Sequence, residues 1–217
     1  MGVTPVYRAC FRPESALRET GWMESVRRNE VVNAQGEPLP WMTYSLIYFL
    51  EPRLHHDFCV FEYGTGNSTL WFAPKVQSII SLEHDRKWYS RVMSRSPGNV
   101  EQLYVEISDP RSYGELSFGD GAEDNDYTRM ISRWVGTFDL IIIDGIYRCA
   151  CIVRAVNSLK PTGVLLVDNT NEKRFEPARR NLRAQGFREL PFWGMVPLQN
   201  WTSCSSIFYR PQNCLDL

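Results

Sequence analysis

Four stretches of this chain are continuous apolar runs, and each stops at a glycine or an acid. Phe58-Cys-Val-Phe-Glu62 stops at Tyr63-Gly64-Thr65-Gly66. Ser78–Leu82 stops at Glu83-His84-Asp85, Phe138–Ile143 at Asp144-Gly145, and Gly163–Val167 at Asp168-Asn169. A strand with one wet face alternates apolar and polar residues, whereas a strand covered on both faces does not. Short apolar runs bounded by turn residues therefore predict central strands of a parallel sheet. A weaker strand candidate, Gln102–Ile107, lies between the second and third runs. Helical stretches separate the runs at about 67–73, 86–95, 127–135 and 148–159. This alternation predicts an α/β, doubly wound, mostly parallel sheet with right-handed crossovers.

The flanks read differently. Residues 13–30 predict a helix that Pro13 opens and Gly21 weakens midway. A turn-rich stretch, 33–40, precedes a nearly all-apolar helix over 41–50 that should be buried on more than one side. Near the other end a helix over 175–185 stops at Gly186. Phe187–Phe192 and Ser203–Tyr209 follow and suit an antiparallel edge pair. One connection exceeds ordinary length: Ser108–Asp126, with three glycines and many acids. It is either a solvated surface loop or a lid on the substrate side.

A chain of 217 residues suits one compact domain with a short extension. With 24 basic and 25 acidic residues, no global field draws it to nucleic acid or an anionic membrane. No apolar run is long enough to span a bilayer, and Met1–Arg12 lacks an apolar signal core. The six cysteines show no C-x-x-C spacing and read as buried free thiols in a reducing compartment. A cytoplasmic protein acting on a small molecule, with no nucleic-acid or membrane partner, is expected. The residues leave a homodimer open.

In an open α/β sheet, ligands bind beyond the carboxyl ends of the strands. Gly64 and Gly66 allow a tight turn and close backbone approach to a ligand. Asn67 or Ser68 can cap the next helix, whose free N–H groups face that ligand. Thr69 occupies the third glycine position of a dinucleotide fingerprint, and Glu62 would repel a phosphate, so an amine-bearing ligand fits better than a nicotinamide dinucleotide. Glu83 lies 19 residues after Gly64, the spacing of an acid that accepts from ribose hydroxyls. His55-His56 reads as a surface pair, not as a metal site.

Together, Glu62-Tyr-Gly-Thr-Gly66, Glu83-His84-Asp85, Phe138–Gly145, and Leu159–Gly163 running into Asp168-Asn169 resemble class I S-adenosylmethionine-dependent methyltransferases. The resemblance covers about residues 40–210. It implies a Rossmann-like, seven-stranded sheet whose last strand is antiparallel. Residues 1–52 would then form an N-terminal helical cap, and 53–217 a single Rossmann-like domain. It implies S-adenosylmethionine as cofactor. Glu62 and Gly64, Thr65, Gly66, Asn67 and Ser68 would line its methionine part and Glu83 would hold its ribose. His84, Ser108 and Asp109 would border its adenine. Aromatic Trp41, Tyr44 and Tyr48 would close a helix over the cleft, with Trp193 and Trp201 beside the acceptor.

A narrower resemblance concerns Asp144 with Asp168 and Asn169, which looks like the Mg²⁺ triad of catechol-type and macrocin-type O-methyltransferases. The sequence departs from it at Tyr147, which stands where those families place a His, and at Arg148, a fixed cation. Arg148 could replace the metal by pairing with Asp144. The expected function is methyl transfer to a small-molecule oxygen, with Asp144, Tyr147 and Arg148 orienting or deprotonating the acceptor. Arg148 would lower the Tyr147 pKa toward that of a base. Two alternatives stay open: an aminopropyl-type transferase on the same fold, and a non-catalytic cofactor-binding module.

Overall fold

The computed structural model describes Cys10, residues 12–117, Gly119 and residues 121–217. Most of the stretch 1–12 examined for a signal core therefore lies outside the described residues, as do two positions of the long loop.

The N-terminal segment forms two short helices, α1 (Ala16–Glu19) and α2 (Trp22–Arg28). They break at Gly21, whose φ of 83° ends one helix and starts the next. The apolar helix is α3 (Tyr44–Leu50). Leu46, Ile47 and Leu50 are buried, but Trp41 before it and Tyr48 on it are exposed, so one side of the segment meets water.

Seven strands follow: β1 (Cys59–Tyr63), β2 (Ser78–Glu83), β3 (Val100–Tyr104), β4 (Phe138–Ile143), β5 (Leu159–Val167), β6 (Arg188–Met195) and β7 (Thr202–Tyr209). They make one sheet in the order β3-β2-β1-β4-β5-β7-β6. The first five are parallel, and β7 runs antiparallel to both β5 and β6. Strand order reverses between β1 and β4, so the crevice of the fold opens above their carboxyl ends.

Neighbouring residues of each central strand belong to opposite faces. Phe61, Tyr63, Ile141, Ile143, Leu165 and Val167 join one apolar cluster, and Val60, Leu140, Ile142, Val164 and Leu166 join the other. Both faces are covered, which is why these runs carry no polar alternation. Burial of each such side chain is worth about 1.5–3 kcal/mol. Val31, Leu39, Met42 and α3 pack into the second cluster together with the strands.

The connecting helices are α4 (Asn67–Phe72), α5 (Arg86–Met93), α6 (Tyr113–Leu116), α7 (Asp126–Arg129), α8 (Arg148–Ala155) and α9 (Glu176–Ala184). Local chemistry sets their ends. Asp85 caps α5 by accepting from the Trp88 N–H at 2.8 Å. Pro177 lies in the first turn of α9, and Gly186 stands beyond its end at φ 83°.

Several boundaries differ from the sequence expectation. Strand β3 covers 100–104 rather than 102–107, because its pairing with β2 begins at Ile79–Val100. Strand β5 starts at Leu159, four residues early, across a register shift between Phe138 and Leu140. The long loop contains α6, whose Leu116 is buried in the first cluster. No helix among the described residues is long and apolar enough to cross a membrane.

Candidate active site

The turn after β1 needs glycine at Gly64. Its φ is +91°, and a Cβ there would stand 2.8 Å from the Cα and N of Gly145. The loops after β1 and β4 thus touch backbone to backbone. Gly66 is different. Its backbone is extended, and a Cβ would meet the Ser68 hydroxyl at 3.5 Å and the Ser68 N and Trp88 Nε1 at 3.9 Å, all ordinary contact distances. The backbone angles at 66 do not demand a glycine, in contrast to those at 64.

Neither Asn67 nor Ser68 caps α4. Gly66 is its N-cap, and Thr69 Oγ1 accepts the Gly66 N–H at 3.0 Å. The Asn67 amide turns instead to the N-terminal segment, donating to the Val31 carbonyl at 2.7 Å. Ser68 faces Glu62.

Glu62 is fully buried and accepts three hydroxyls: Ser68 and Thr69 at 2.5 Å each, and Ser81 at 2.9 Å. These bonds favour the charged form, but burial disfavours it more, and the carboxyl is pushed up to about 7. The ligand-free fold thus holds a proton here that the unfolded chain has released. Ligand-free stability is expected to fall as pH rises from about 4.5 to about 7, by up to about 3 kcal/mol. Glu62→Gln should flatten that slope in urea melts at several pH values. An unchanged slope would place the proton elsewhere.

Glu83 is buried, and its oxygens are taken by the glycine loop and its own strand end. They accept the N–H groups of Thr65 (3.0 Å), His84 (2.7 Å) and Asp85 (2.8 Å). The carboxylate expected to hold a ribose therefore also braces the turn between the first two strand ends. The Trp88 indole N–H closes the same turn by donating to the Thr65 carbonyl. The His84 ring lies between Tyr113, near-parallel at 16°, and Tyr127, edge-on at 83°.

Ser108 is exposed. Asp109 is engaged by Arg111, with Nη2 at 2.8 Å, and by the Tyr147 hydroxyl at 2.9 Å. Arg111 also reaches Glu123 at 3.3 Å, so one guanidinium staples the two ends of the long loop. The carbonyls of Leu116 and Ser117 accept the N–H groups of Tyr147 and Arg148 at the start of α8. The loop is thereby fastened to the residues that follow β4.

Asp144, Arg148, Asp168 and Asn169 do converge, with the guanidinium at their centre. Arg148 Nη2 lies 3.0 Å from the Asp144 carboxylate, and Nη1 donates to Asn169 Oδ1 at 2.9 Å. Nη1 also donates to the Asp168 carbonyl at 3.1 Å, and Nε donates to the Gly145 carbonyl at 2.9 Å. Strand β7 supports the far side: Ser205 donates to Asp168 at 2.5 Å, and Asn169 donates to Ser203 at 3.0 Å.

The expected Mg²⁺ does not fit this set. The oxygens that would ligate it already face a buried guanidinium, and a dication beside that fixed charge would be repelled. Asp144 is the member that opens to the cleft, with 21% of its side chain accessible against 5% for Arg148 and 4% for Asp168. Burial, with Asp168, Glu62 and Glu83 nearby, holds its carboxyl above the ordinary carboxylate range in spite of Arg148.

Tyr147 is a correction. Its phenol is buried, donates to Asp109, and is pushed up to about 12 by burial and that carboxylate. Arg148 does not activate it as a base, because the guanidinium is spent on the Asp144 side. The helix aromatics also part company: Tyr44 is buried, while Trp41 and Tyr48 are exposed, as are Trp193 and Trp201 on the far rim.

Sequence reasoning missed Ser81, Thr69, Ser205 and Arg111. Ser81 and Ser205 carried a signal, since each is a hydroxyl inside a strand, where only a polar partner repays its burial. Arg111 carried none for its bond to Glu123, which lies across the loop.

No protein-family model matches the sequence, and no curated protein sequence matches it. Solved structures do match its fold. A methyltransferase from Geobacter sulfurreducens superimposes with a TM-score of 0.52 at 15% identity, over 95% of each chain. Spermidine synthase in complex with the transition-state analogue AdoDATO gives 0.53 at 12% identity, over 80% of this chain and 60% of its own. The chain thus spans about 60% of that enzyme's length. A precorrin 8w decarboxylase of Methanobacterium thermoautotrophicum gives 0.52 at 16% identity, over 84% of this chain and 97% of its own. The fold is the Rossmann-like fold of class I S-adenosylmethionine-dependent methyltransferases, which spermidine synthase shares.

Proposed function

We propose that this chain transfers a methyl group from S-adenosylmethionine to an oxygen atom of a small-molecule acceptor, without a divalent metal. The observation that carries the reading is the pairing of the glycine turn Gly64–Gly66, braced by Glu83, with the Asp144–Arg148 cluster at the end of the adjacent strand β4. The cofactor, when bound, supplies an electrophilic methyl on a sulfonium. Glu62 and residues 64–68 would hold its methionine part. Glu83 would hold its ribose, and His84, Ser108 and Asp109 would border its adenine.

The remaining chemistry belongs to side chains. Arg148 fixes the Asp144 carboxylate at the mouth of the cleft. Asp144 takes the hydroxyl proton of the acceptor at its exposed oxygen. A carboxyl held above its usual range is a better base than an ordinary one. The strand-end loops would exclude water and hold the reactants in line. Six free cysteines suit a reducing cytosol.

Calorimetry with S-adenosylmethionine, its demethylated product and its decarboxylated form tests the reading. Binding of the first two is expected. Preference for the decarboxylated form would favour aminopropyl transfer. Glu83→Ala should weaken cofactor binding by about 1–3 kcal/mol, through lost hydrogen bonds and a loosened glycine turn. Equal affinity in that variant would remove Glu83 from the site.

A further inference from the structure

Three tyrosines lie fully or almost fully buried beside the glycine loop: Tyr63, Tyr127 and Tyr147. Two of their hydroxyls have partners. Tyr63 donates to the Thr128 carbonyl at 2.9 Å, and Tyr147 donates to Asp109 at 2.9 Å. The Tyr127 hydroxyl has none among the described residues, although nothing of the side chain reaches solvent. A site that needed only a ring would be better served by phenylalanine, which has the same shape and no polar atom to bury.

The orphaned oxygen has a definite aim. A Cβ built on Gly145 would fall 2.1 Å from it and 3.0 Å from the Gly64 nitrogen. The hydroxyl therefore stands where the loops after β1 and β4 touch, and Gly145 is glycine because the phenol fills its side-chain space. The ring is held by Tyr63 at 5.5 Å, His84 at 6.1 Å and Tyr147 at 6.3 Å between centroids. Beyond His84 lies Tyr113, its ring near-parallel to the imidazole at 6.2 Å.

We propose that Tyr127 is a cofactor-binding residue whose hydroxyl completes its hydrogen bond on the nucleoside part of S-adenosylmethionine. This rests on the cofactor reading given above. A small opening of the Gly64–Gly145 contact on binding brings the nucleoside and the hydroxyl together. The ligand-free fold bears an unpaired polar group that the ligand satisfies.

The test is Tyr127→Phe, with calorimetry against S-adenosylhomocysteine and 5′-methylthioadenosine, and thermal melts without ligand. Both dissociation constants should rise about three- to tenfold, the range of one lost hydrogen bond. The ligand-free melting midpoint should stay level or rise, because the variant loses only an unpartnered group. Unchanged affinity for both ligands overturns the proposal and assigns the hydroxyl to a trapped water. A lower ligand-free midpoint overturns it in favour of a structural role. Loss confined to S-adenosylhomocysteine overturns the nucleoside assignment. If the unsubstituted protein binds neither ligand, the cofactor reading falls, and this proposal with it.

Discussion

Arg148→Ala is expected to destabilise the fold by about 3–5 kcal/mol and to abolish methyl transfer, while a chelator leaves both unchanged. The guanidinium is buried and binds the loops after β4 and β5 through Asp144, Gly145, Asp168 and Asn169. Removing it leaves the buried Asp168 and the partly buried Asp144 with no counter-charge, and they must protonate or open further to water. Arg148→Lys should rescue only part of the loss, because one ammonium cannot serve partners on two sides of a planar fork. Denaturant melts and turnover, each with and without chelator, check the prediction. Turnover that stops on chelation and returns with Mg²⁺ would sink it.

The two glycines of the first turn should separate folding from binding. Gly64→Ala is expected to cost about 2–4 kcal/mol. A left-handed backbone costs a non-glycine residue about 1–2 kcal/mol, and the Cβ would press on Gly145 at 2.8 Å. Gly66→Val should lower the melting midpoint less than Gly64→Ala, since its backbone is extended and its Cβ position meets Ser68 and the Trp88 indole only at ordinary contact distances. It should lower cofactor affinity by about tenfold or more, roughly 1.4 kcal/mol, by blocking close approach to the loop. Melts and calorimetry on both variants measure this. Full affinity in Gly66→Val would move the cofactor away from the turn.

The same contrast shows how much of the site was legible. The runs ending at Glu62, Glu83, Asp144 and Asp168 named four strand ends correctly, because continuous apolar character is a local consequence of burial on both faces. The convergence of Asp144 with Asp168 and Asn169 also followed, since adjacent parallel strands bring their carboxyl ends together. Which cation sits among them could not be read from composition. Mg²⁺ and Arg148 suit the same three oxygens, and only the path of α8 places the guanidinium there.

Tyr147 failed as a base for a related reason. Its partner Asp109 lies 38 residues away in sequence, on a loop whose course no periodicity encodes. The bracing role of Glu83 was equally hidden, because it depends on where the Thr65 N–H points once Gly64 adopts its left-handed turn.

The sequence by itself determined the layer architecture, the order of elements along the chain and the strand ends where glycines and acids gather. Those follow from hydrophobic pattern and from glycine and proline placement, which act over a few residues. Tertiary structure decided the protonation tendencies, the cation in the carboxylate cluster and the unpaired phenol of Tyr127. Each of those depends on distances between groups far apart in the chain. Burial and charge act through space, so the chemistry of the site was settled only when the loops after β1, β2, β4 and β5 met.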